Sequence, residues 1–260
     1  MMKKKTGLMA IYWLLAGAGV MPCVSEDSAA QCAAAVQVSA LSAYVWRGQV
    51  LNDEPVMQTS LALEKSGWGA SAWANFNLTA NHAGDAPEAS EVDLSLFRKD
   101  QVRGMTVKWG LVEYSFPNQT VSNSEGSVEA TPSTREVFAE LGYKIGRIAP
   151  GVGAYYDFGE ADSCYVSMRC SADIAGGISV SCSAGYGLSG YNSFYFGVDK
   201  AGWNDFSSGV SLALPAGQSA TLTLMVQYSG VIDPELRDTA GAVYRDDAEW
   251  FGGAAWDLVF

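Results

Sequence analysis

The chain has 260 residues, a formal net charge of −12 and 48% hydrophobic residues, with 28 glycines, 8 Trp, 12 Tyr and 10 Phe. This acidic balance argues against nucleic-acid binding, because phosphate would repel the chain. The hydrophobic content excludes a disordered chain, and the lack of a fixed Gly or heptad period excludes collagen-like and coiled-coil architectures.

The chain begins with a pattern that is typical of a Sec-type signal peptide. Lysines at positions 3–5 precede an uncharged apolar stretch over 7–21, and a series of small residues ends at Ala30. We expect cleavage after Ala30, with Ser25 as the alternative site. An uncleaved anchor is disfavoured because the apolar stretch is short for ~30 Å of hydrocarbon. Proline before Cys23 makes a poor lipoprotein signal.

After the signal peptide over 1–30, apolar and polar residues alternate with a period of two. In 178–188 every even position is apolar and every odd position is Ser or Gly, and 220–228 has a similar pattern. Helical periodicity is absent. We predict about twelve strands, near 35–48, 56–65, 68–78, 90–99, 105–116, 134–144, 149–158, 164–174, 178–188, 207–214, 219–229 and 248–260.

The connections between these strands alternate in length. Short turns are predicted near 66–67, 100–104, 145–148, 175–177 and 215–218, and long polar loops over 79–89, 117–133, 189–206 and 230–247. Such asymmetry is typical of a membrane barrel. Residues 31–260 are therefore predicted to form an all-β fold, a transmembrane antiparallel up-and-down β-barrel with short periplasmic turns and long extracellular loops.

A soluble β-sandwich also alternates, but its outward face usually carries charges. Here the polar face is mostly Ser, Thr, Gly and Gln, which suits a confined lumen. Aromatic residues near strand ends, including Tyr44, Trp46, Trp68, Tyr114 and Trp250, suit girdles at two membrane interfaces. These patterns favour the barrel and predict an outer-membrane location, with membrane lipid as a partner.

The last predicted strand ends on an aromatic residue. Trp256, Leu258 and Phe260 share one face. This ending resembles the assembly signal that hands outer-membrane barrels to their insertion machinery, which we expect as a partner during biogenesis. Ala255 replaces the usual glycine of that signal.

Charged residues at the alternate strand positions that would face the lumen predict whether the barrel interior conducts ions. They are Arg47, Glu91, Asp93, Lys108, Glu136, Glu140, Asp157, Arg169 and Asp257. A charge inside a narrow barrel must be paired or hydrated. Six acids against three bases predict a small aqueous path that prefers cations. The alternative is a plug of ion-paired side chains, and the pattern does not separate the two.

Two cysteines are predicted to lie opposite each other. A tight turn at 175–177 pairs Ile174 with Ile178, and the same register pairs Cys170 with Cys182 on the lipid-facing parity. Opposed Cβ atoms are slightly farther apart than in a disulfide, so a bridge needs a local adjustment. We expect either a disulfide or two small apolar thiols, with Cys164 unpaired.

Five groups of residues occur in a fixed order between 42 and about 160. They are Ser42–Gly48, Ser66–Gly69 with Trp73–Asn75, Glu113-Tyr114 before Pro117-Asn118, Thr134–Phe138, and Tyr155–Phe158. Together they resemble the TorF-type porin family of Gram-negative outer-membrane β-barrel proteins. The resemblance implies an outer-membrane barrel with a pore role and brings no catalytic residues. The C-terminal third matches only in patterning.

The chain offers little for catalysis. Its single histidine, His82, lies in a polar loop, which argues against Ser–His–acid chemistry and a His-based zinc site. Acids near 157–162 and 246–249 match no calcium-loop spacing and are expected to keep the rim hydrophilic. We predict a non-enzymatic barrel without cofactor or metal.

The preferred function is a narrow porin-like channel for small hydrophilic solutes, mildly cation-preferring. The alternative is a non-conducting structural or adhesive surface barrel. A secreted soluble β-sandwich that binds a ligand is a weaker third hypothesis.

Overall fold

A computed structural model describes residues 32–79, 88–122 and 128–260, so the predicted signal peptide and His82 lie outside the described residues. Sixteen strands lie in this part of the chain, numbered in chain order: β1 (Ala33–Leu41), β2 (Tyr44–Trp46), β3 (Gln49–Asn52), β4 (Val56–Lys65), β5 (Trp68–Asn77), β6 (Glu88–Val102), β7 (Met105–Ser115), β8 (Thr120–Ser122), β9 (Val128–Ala130), β10 (Thr134–Tyr143), β11 (Ile148–Asp157), β12 (Ser163–Ala175), β13 (Ile178–Gly187), β14 (Gly202–Pro215), β15 (Ala220–Val231) and β16 (Ala248–Val259).

Twelve of these strands close into an antiparallel barrel, and β2–β3 and β8–β9 form separate two-stranded sheets. Each barrel strand pairs with the barrel strands before and after it in the chain, with β1 next to β4 and β7 next to β10. The barrel closes where β1 also pairs with β16. The predicted fold class is confirmed. The sandwich hypothesis is wrong, because a closed barrel has no second sheet to cover an apolar face.

The two ends of the barrel differ. Short turns join strands at one end, which we call the short-turn end, and both described termini of the barrel lie there. Ser66-Gly67, Arg103-Gly104 and Gly176-Gly177 all have positive φ, as two-residue I′ hairpins require. The other end, the long-loop end, carries the remaining connections, including the small sheets and two helices.

The outer face of the barrel is apolar and the inner face is polar. Val180, Leu224 and Trp109 project outward and are exposed, whereas Ser183, Thr223 and Gln227 project inward and are buried. Exposed aliphatic side chains, such as Leu61, Leu96 and Val210, occur on the outer faces of strands around the barrel, as on a membrane barrel.

The first predicted strand is only partly correct. It is predicted over 35–48, but β1 ends at Leu41 and the chain turns into the β2–β3 hairpin. Arg47 and Gly48 occupy its two-residue turn with φ of 49° and 79°. This hairpin folds into the barrel, so Tyr44 and Trp46 are buried inside instead of joining an interfacial girdle. Tyr114 is also an interior residue, whereas Trp68 and Trp250 are exposed on the outer face.

The expectation of no helix is wrong, because α1 (Ser189–Phe196) and α2 (Pro234–Val243) lie in two long loops. The sequence contains a recognisable N-cap for α2. The Asp233 carboxylate accepts a hydrogen bond from the Glu235 amide, and proline occupies the first turn. Lys200 donates to Asp233 and holds the pKa of that carboxyl below its usual range. Within the described ranges, neither helix has the length and apolar character needed to cross a membrane.

The β12–β13 hairpin has the predicted pairing of Cys170 with Cys182. The predicted Ile174–Ile178 pair and the three-residue turn at 175–177 are wrong, because the turn is Gly176-Gly177 and Ala175 lies opposite Ile178. A bulge between Asp173 and Ala175 then restores the predicted register for the rest of the hairpin. The two thiols are free in this structure, as are those of Cys32 and Cys164. A disulfide between Cys170 and Cys182 therefore stays a prediction.

Candidate functional site: the barrel interior

The inner wall has two chemically different sectors. From β5 to β12 it carries aromatic and charged side chains, including Trp73, Glu91, Phe97 and Glu136. From β12 to β15 it carries mostly small polar residues, among them Ser167, Ser183, Ser211 and Ser229. The small residues leave room inside the barrel, and the β2–β3 hairpin occupies that room at the long-loop end.

The hairpin crosses the lumen from its attachment between β1 and β4. Val45 and Val50 pack against Phe251 of β16. At its tip, a Cβ atom on Gly48 would lie 2.6 Å from Cβ of Asp205 and 3.3 Å from the backbone of Gly230. Glycine is therefore required here both by the positive φ and by the contact with the β14–β15 wall. The hairpin therefore lies inside the barrel with its tip against the β14–β15 wall.

Arg47 at the hairpin tip is anchored to β10. Its two terminal nitrogens each donate a 2.8 Å hydrogen bond to Glu136, a bidentate ion pair. The Glu136 carboxylate also accepts a hydrogen bond from the Tyr114 hydroxyl at 2.8 Å. The Arg47 guanidinium lies 4.3 Å from the ring centroid of Tyr165 and 4.7 Å from that of Tyr155. These contacts fix a charged group in the middle of the lumen.

An acidic pair lies beside this anchor, on β6. Tyr44 of the hairpin donates a 2.8 Å hydrogen bond to Glu91. The neighbouring Asp93 is buried, and its Oδ1 has no hydrogen-bond partner among the described residues. These carboxylates give the long-loop half of the interior an acidic character.

Helix α1 completes the filling of the long-loop half. Tyr191 and Phe196 are fully buried, and the Tyr191 ring lies 5.1 Å from that of Tyr165. Tyr195 contacts the hairpin through Trp46, with ring centroids 5.5 Å apart. The hairpin and the helix thus form one packed constriction, which we call the inner plug and define as Tyr44–Asn52 with Ser189–Phe196.

The short-turn half of the interior holds a more open charged band. Glu140 accepts hydrogen bonds from Tyr155 at 2.6 Å and from Arg169 at 3.3 Å. Lys99 donates to both oxygens of Glu64, at 2.7 and 2.9 Å. Lys108 lies 4.5 Å from the ring centroid of Phe97. We call this half the vestibule.

The structure brings seven of the nine predicted interior charges into two groups. Arg47, Glu136, Glu91 and Asp93 surround the inner plug, and Lys108, Glu140 and Arg169 line the vestibule. Asp157 stands apart, because its carboxylate accepts hydrogen bonds from Thr134 and from two backbone amides of the following loop. Asp257 also stands apart and accepts a 2.6 Å hydrogen bond from Gln37.

Sequence reasoning missed several interior residues. Asp205 is buried and accepts a 2.8 Å hydrogen bond from Tyr165, but it falls in a segment predicted as loop. Glu64 and Lys99 lie two residues after the inward-facing Ala62 and Phe97, so strand alternation could have predicted that they face the lumen. Tyr191 lies in a predicted loop where no pattern pointed inward.

The residues predicted to form an assembly signal lie at the short-turn end of the barrel. Trp256 and Phe260 are exposed on the outer side, and the Phe260 amide donates to the Ala34 carbonyl across the barrel closure. Across the described residues, no group of three or more His, Cys, Asp or Glu is arranged to hold a metal ion.

Comparisons with solved structures support the fold. The chain is similar to the KdgM porin, with a TM-score of 0.52 and 8% identity over 87% of this chain and 99% of that one. It is also similar to the KdgM porin in complex with disordered oligogalacturonate, with a TM-score of 0.52, 6% identity and coverage of 88% and 99%. Outer membrane phospholipase A from Escherichia coli gives a TM-score of 0.48 and 13% identity over 86% and 89%.

Sequence comparison places the chain in a family. No curated protein sequence matches it. One family model matches residues 25–248, which is most of the chain and includes the inner plug and both helices. The chain therefore belongs to the family described as bacterial protein of unknown function (Gcw_chp).

Proposed function

We propose that this protein is a narrow, non-enzymatic outer-membrane channel for small hydrophilic solutes, with a mild preference for cations. One observation carries the proposal: a closed barrel has an apolar outer wall and a charged, hydrogen-bonded interior. An apolar outer wall is stable when lipid surrounds it, and a polar interior can be hydrated and can pass hydrophilic solutes.

The location follows from the same architecture. A Sec-type signal peptide over 1–30 would export the chain, and the exposed Phe260 ending would direct it to the insertion machinery. In the membrane, the short-turn end would face the periplasm and the long-loop end the exterior. The sequence resemblance to TorF-type porins agrees with this proposed location and with a role as a pore.

The inner plug makes the channel narrow. The solved KdgM barrel, which has a similar fold, is described in complex with an oligogalacturonate. Here the hairpin and α1 occupy the long-loop half, so we propose passage of solutes smaller than such an oligomer. In the short-turn half, below the plug, the path would follow the wall of small residues from β12 to β15.

The charges support a cation preference. The interior charges named above comprise eight acids, Glu64, Glu91, Asp93, Glu136, Glu140, Asp157, Asp205 and Asp257, and four bases, Arg47, Lys99, Lys108 and Arg169. The acids are concentrated around the plug, where the path is narrowest. A negative potential at a constriction raises the local concentration of cations.

A specific observation favours a second candidate, a non-conducting surface barrel. Tyr191, Gln49 and Asn192 of the plug are almost fully buried, as in a protein core. If the plug is fixed and fills the cross-section of the lumen, the barrel cannot conduct. Its role would then be to hold its external loops at the cell surface.

Planar-bilayer recording of the refolded protein separates these candidates. We expect discrete conductance steps, and a reversal potential of cation-preferring sign under a KCl gradient. Absence of steps above those of a detergent-only control would reject the channel and leave the surface barrel.

A further inference from the structure

The vestibule contains an ammonium group that forms no ion pair with another residue of the part of the chain that the structure describes. Lys108 of β7 lies directly opposite Glu140 of β10, yet Glu140 pairs with Arg169. Lys108 also lies opposite Lys99 of β6, which pairs with Glu64. No acidic side chain within 32–79, 88–122 or 128–260 forms an ion pair with Lys108.

Aromatic rings are the contacts that Lys108 makes instead. Its Nζ lies 4.5 Å from the ring centroid of Phe97 and 5.3 Å from that of Phe138. Cation–π contacts stabilise an ammonium through the ring face but use none of its three N–H donors. No described residue accepts a hydrogen bond from these donors, and the Lys108 side chain is half-buried.

We propose that Lys108 binds the carboxylate of a small hydrophilic solute in the vestibule. On the wall from β4 to β12, Lys99, Lys108 and Arg169 outnumber Glu64 and Glu140 by one, whereas Asp257 lies across the barrel on β16. A single negative charge on the solute balances this excess. A phosphate dianion would exceed it by one charge and would lose a stronger hydration shell on entering. Lys99, Glu64 and Glu140 keep 23%, 15% and 16% side-chain exposure, so solvent reaches this band.

This site differs from the constriction at the inner plug in its position and in the sign of its charge. The plug is surrounded by acids and would govern the passage of simple ions, whereas the Lys108 site would hold one class of solute on the periplasmic side. The inference rests on the proposed function in treating the lumen as a solute path. Binding, however, can be measured without conduction.

The test is calorimetric titration of the refolded protein in detergent, with glucuronate, glucose and glucose 6-phosphate as probes. We expect glucuronate to bind, glucose not to bind, and glucose 6-phosphate to bind more weakly than glucuronate. Lys108→Met should weaken glucuronate binding by about tenfold or more, because a charge-assisted hydrogen bond is lost. Lys108→Arg should retain binding, and the control Lys144→Met, on the short-turn rim, should leave it unchanged.

The outcomes separate this inference from the channel proposal. Glucuronate binding that Lys108→Met does not change, equal binding of glucose, or tighter binding of glucose 6-phosphate would overturn the site. If Lys108→Met does not fold, the wild type still decides: glucuronate affinity must fall as ionic strength rises, and a salt-independent affinity would overturn the site. Lys108-dependent binding in a barrel without conductance would reject the channel and keep the site.

Discussion

The anchor of the hairpin gives the sharpest energetic prediction. Arg47 and Glu136 have only 8% and 1% side-chain exposure and share two 2.8 Å hydrogen bonds. Removing one partner of such a buried pair leaves a charge without compensation and typically costs about 3–5 kcal/mol. Arg47→Met should cost this amount, because among the described residues Glu136 then keeps only the Tyr114 hydroxyl as a donor.

The reverse change should cost less. In Glu136→Gln, the guanidinium keeps its contacts with the rings of Trp46, Tyr155 and Tyr165, at 4.3–4.7 Å. Such contacts are worth about 0.5–2 kcal/mol each and offset part of the loss. The double variant should cost clearly less than the two single changes together, because it leaves no uncompensated charge.

Denaturant unfolding of the barrel refolded in phospholipid vesicles measures these free energies. Arg135 and Glu113 supply a control, since they form an Arg–Glu ion pair with one 2.9 Å hydrogen bond on the outer face at the long-loop rim, with 57% and 42% exposure. Arg135→Met should cost at most about 1 kcal/mol. Additive costs for Arg47→Met and Glu136→Gln, or equal costs at the buried and the exposed pair, would refute the anchoring argument.

Three further predictions test other parts of the account. Val180→Arg should cost about 2–4 kcal/mol of barrel stability in vesicles, and Ser181→Arg far less, because only Val180 faces lipid; equal costs would reverse the assignment of faces. Glu91→Gln with Asp93→Asn should lower the cation-to-anion permeability ratio, most at low salt, and an unchanged ratio would remove these acids from the permeation path. The pKa of Asp233 is lowered by Lys200, so its stabilisation of α2 is present above the unfolded carboxyl pKa of about 4 and is lost as pH falls through the lowered value. Protection factors of the α2 amides, which correct for the intrinsic pH dependence of exchange, should fall below pH ~4 in the wild type and not in Asp233→Ala, and identical pH profiles of the two would exclude this.

Period-two alternation was sufficient to predict the barrel. It placed Val180 outside and Arg169 inside. The pairing of Cys170 with Cys182 came from a predicted three-residue turn at 175–177, but the turn has two residues, Gly176-Gly177. Such a turn alone would pair Cys182 with Ser171, and the bulge between Asp173 and Ala175, which alternation does not reveal, shifts the register back by one residue.

The plug was harder to predict because its pattern imitates a strand. Val36 to Trp46 alternates as one long strand would, and only the Arg47-Gly48 pair marks a turn. The partners of Arg47 are far away in sequence: Glu136 is 89 residues distant and meets it only because the barrel closes. Asp205 was missed since the start of β14 does not alternate, and a register shift lies opposite it in β13.

Shortening the hairpin tests the central claim most directly. Leu41 and Val56 are directly opposed in β1 and β4, so a short Gly-Ser turn can join the two strands in place of the residues between them. The account predicts that single-channel conductance of this variant in planar bilayers exceeds that of the wild-type barrel, because the lumen loses the part of the plug that crosses it. Equal conductance of the two barrels, or no conductance from either, would contradict a channel narrowed by the Arg47 hairpin.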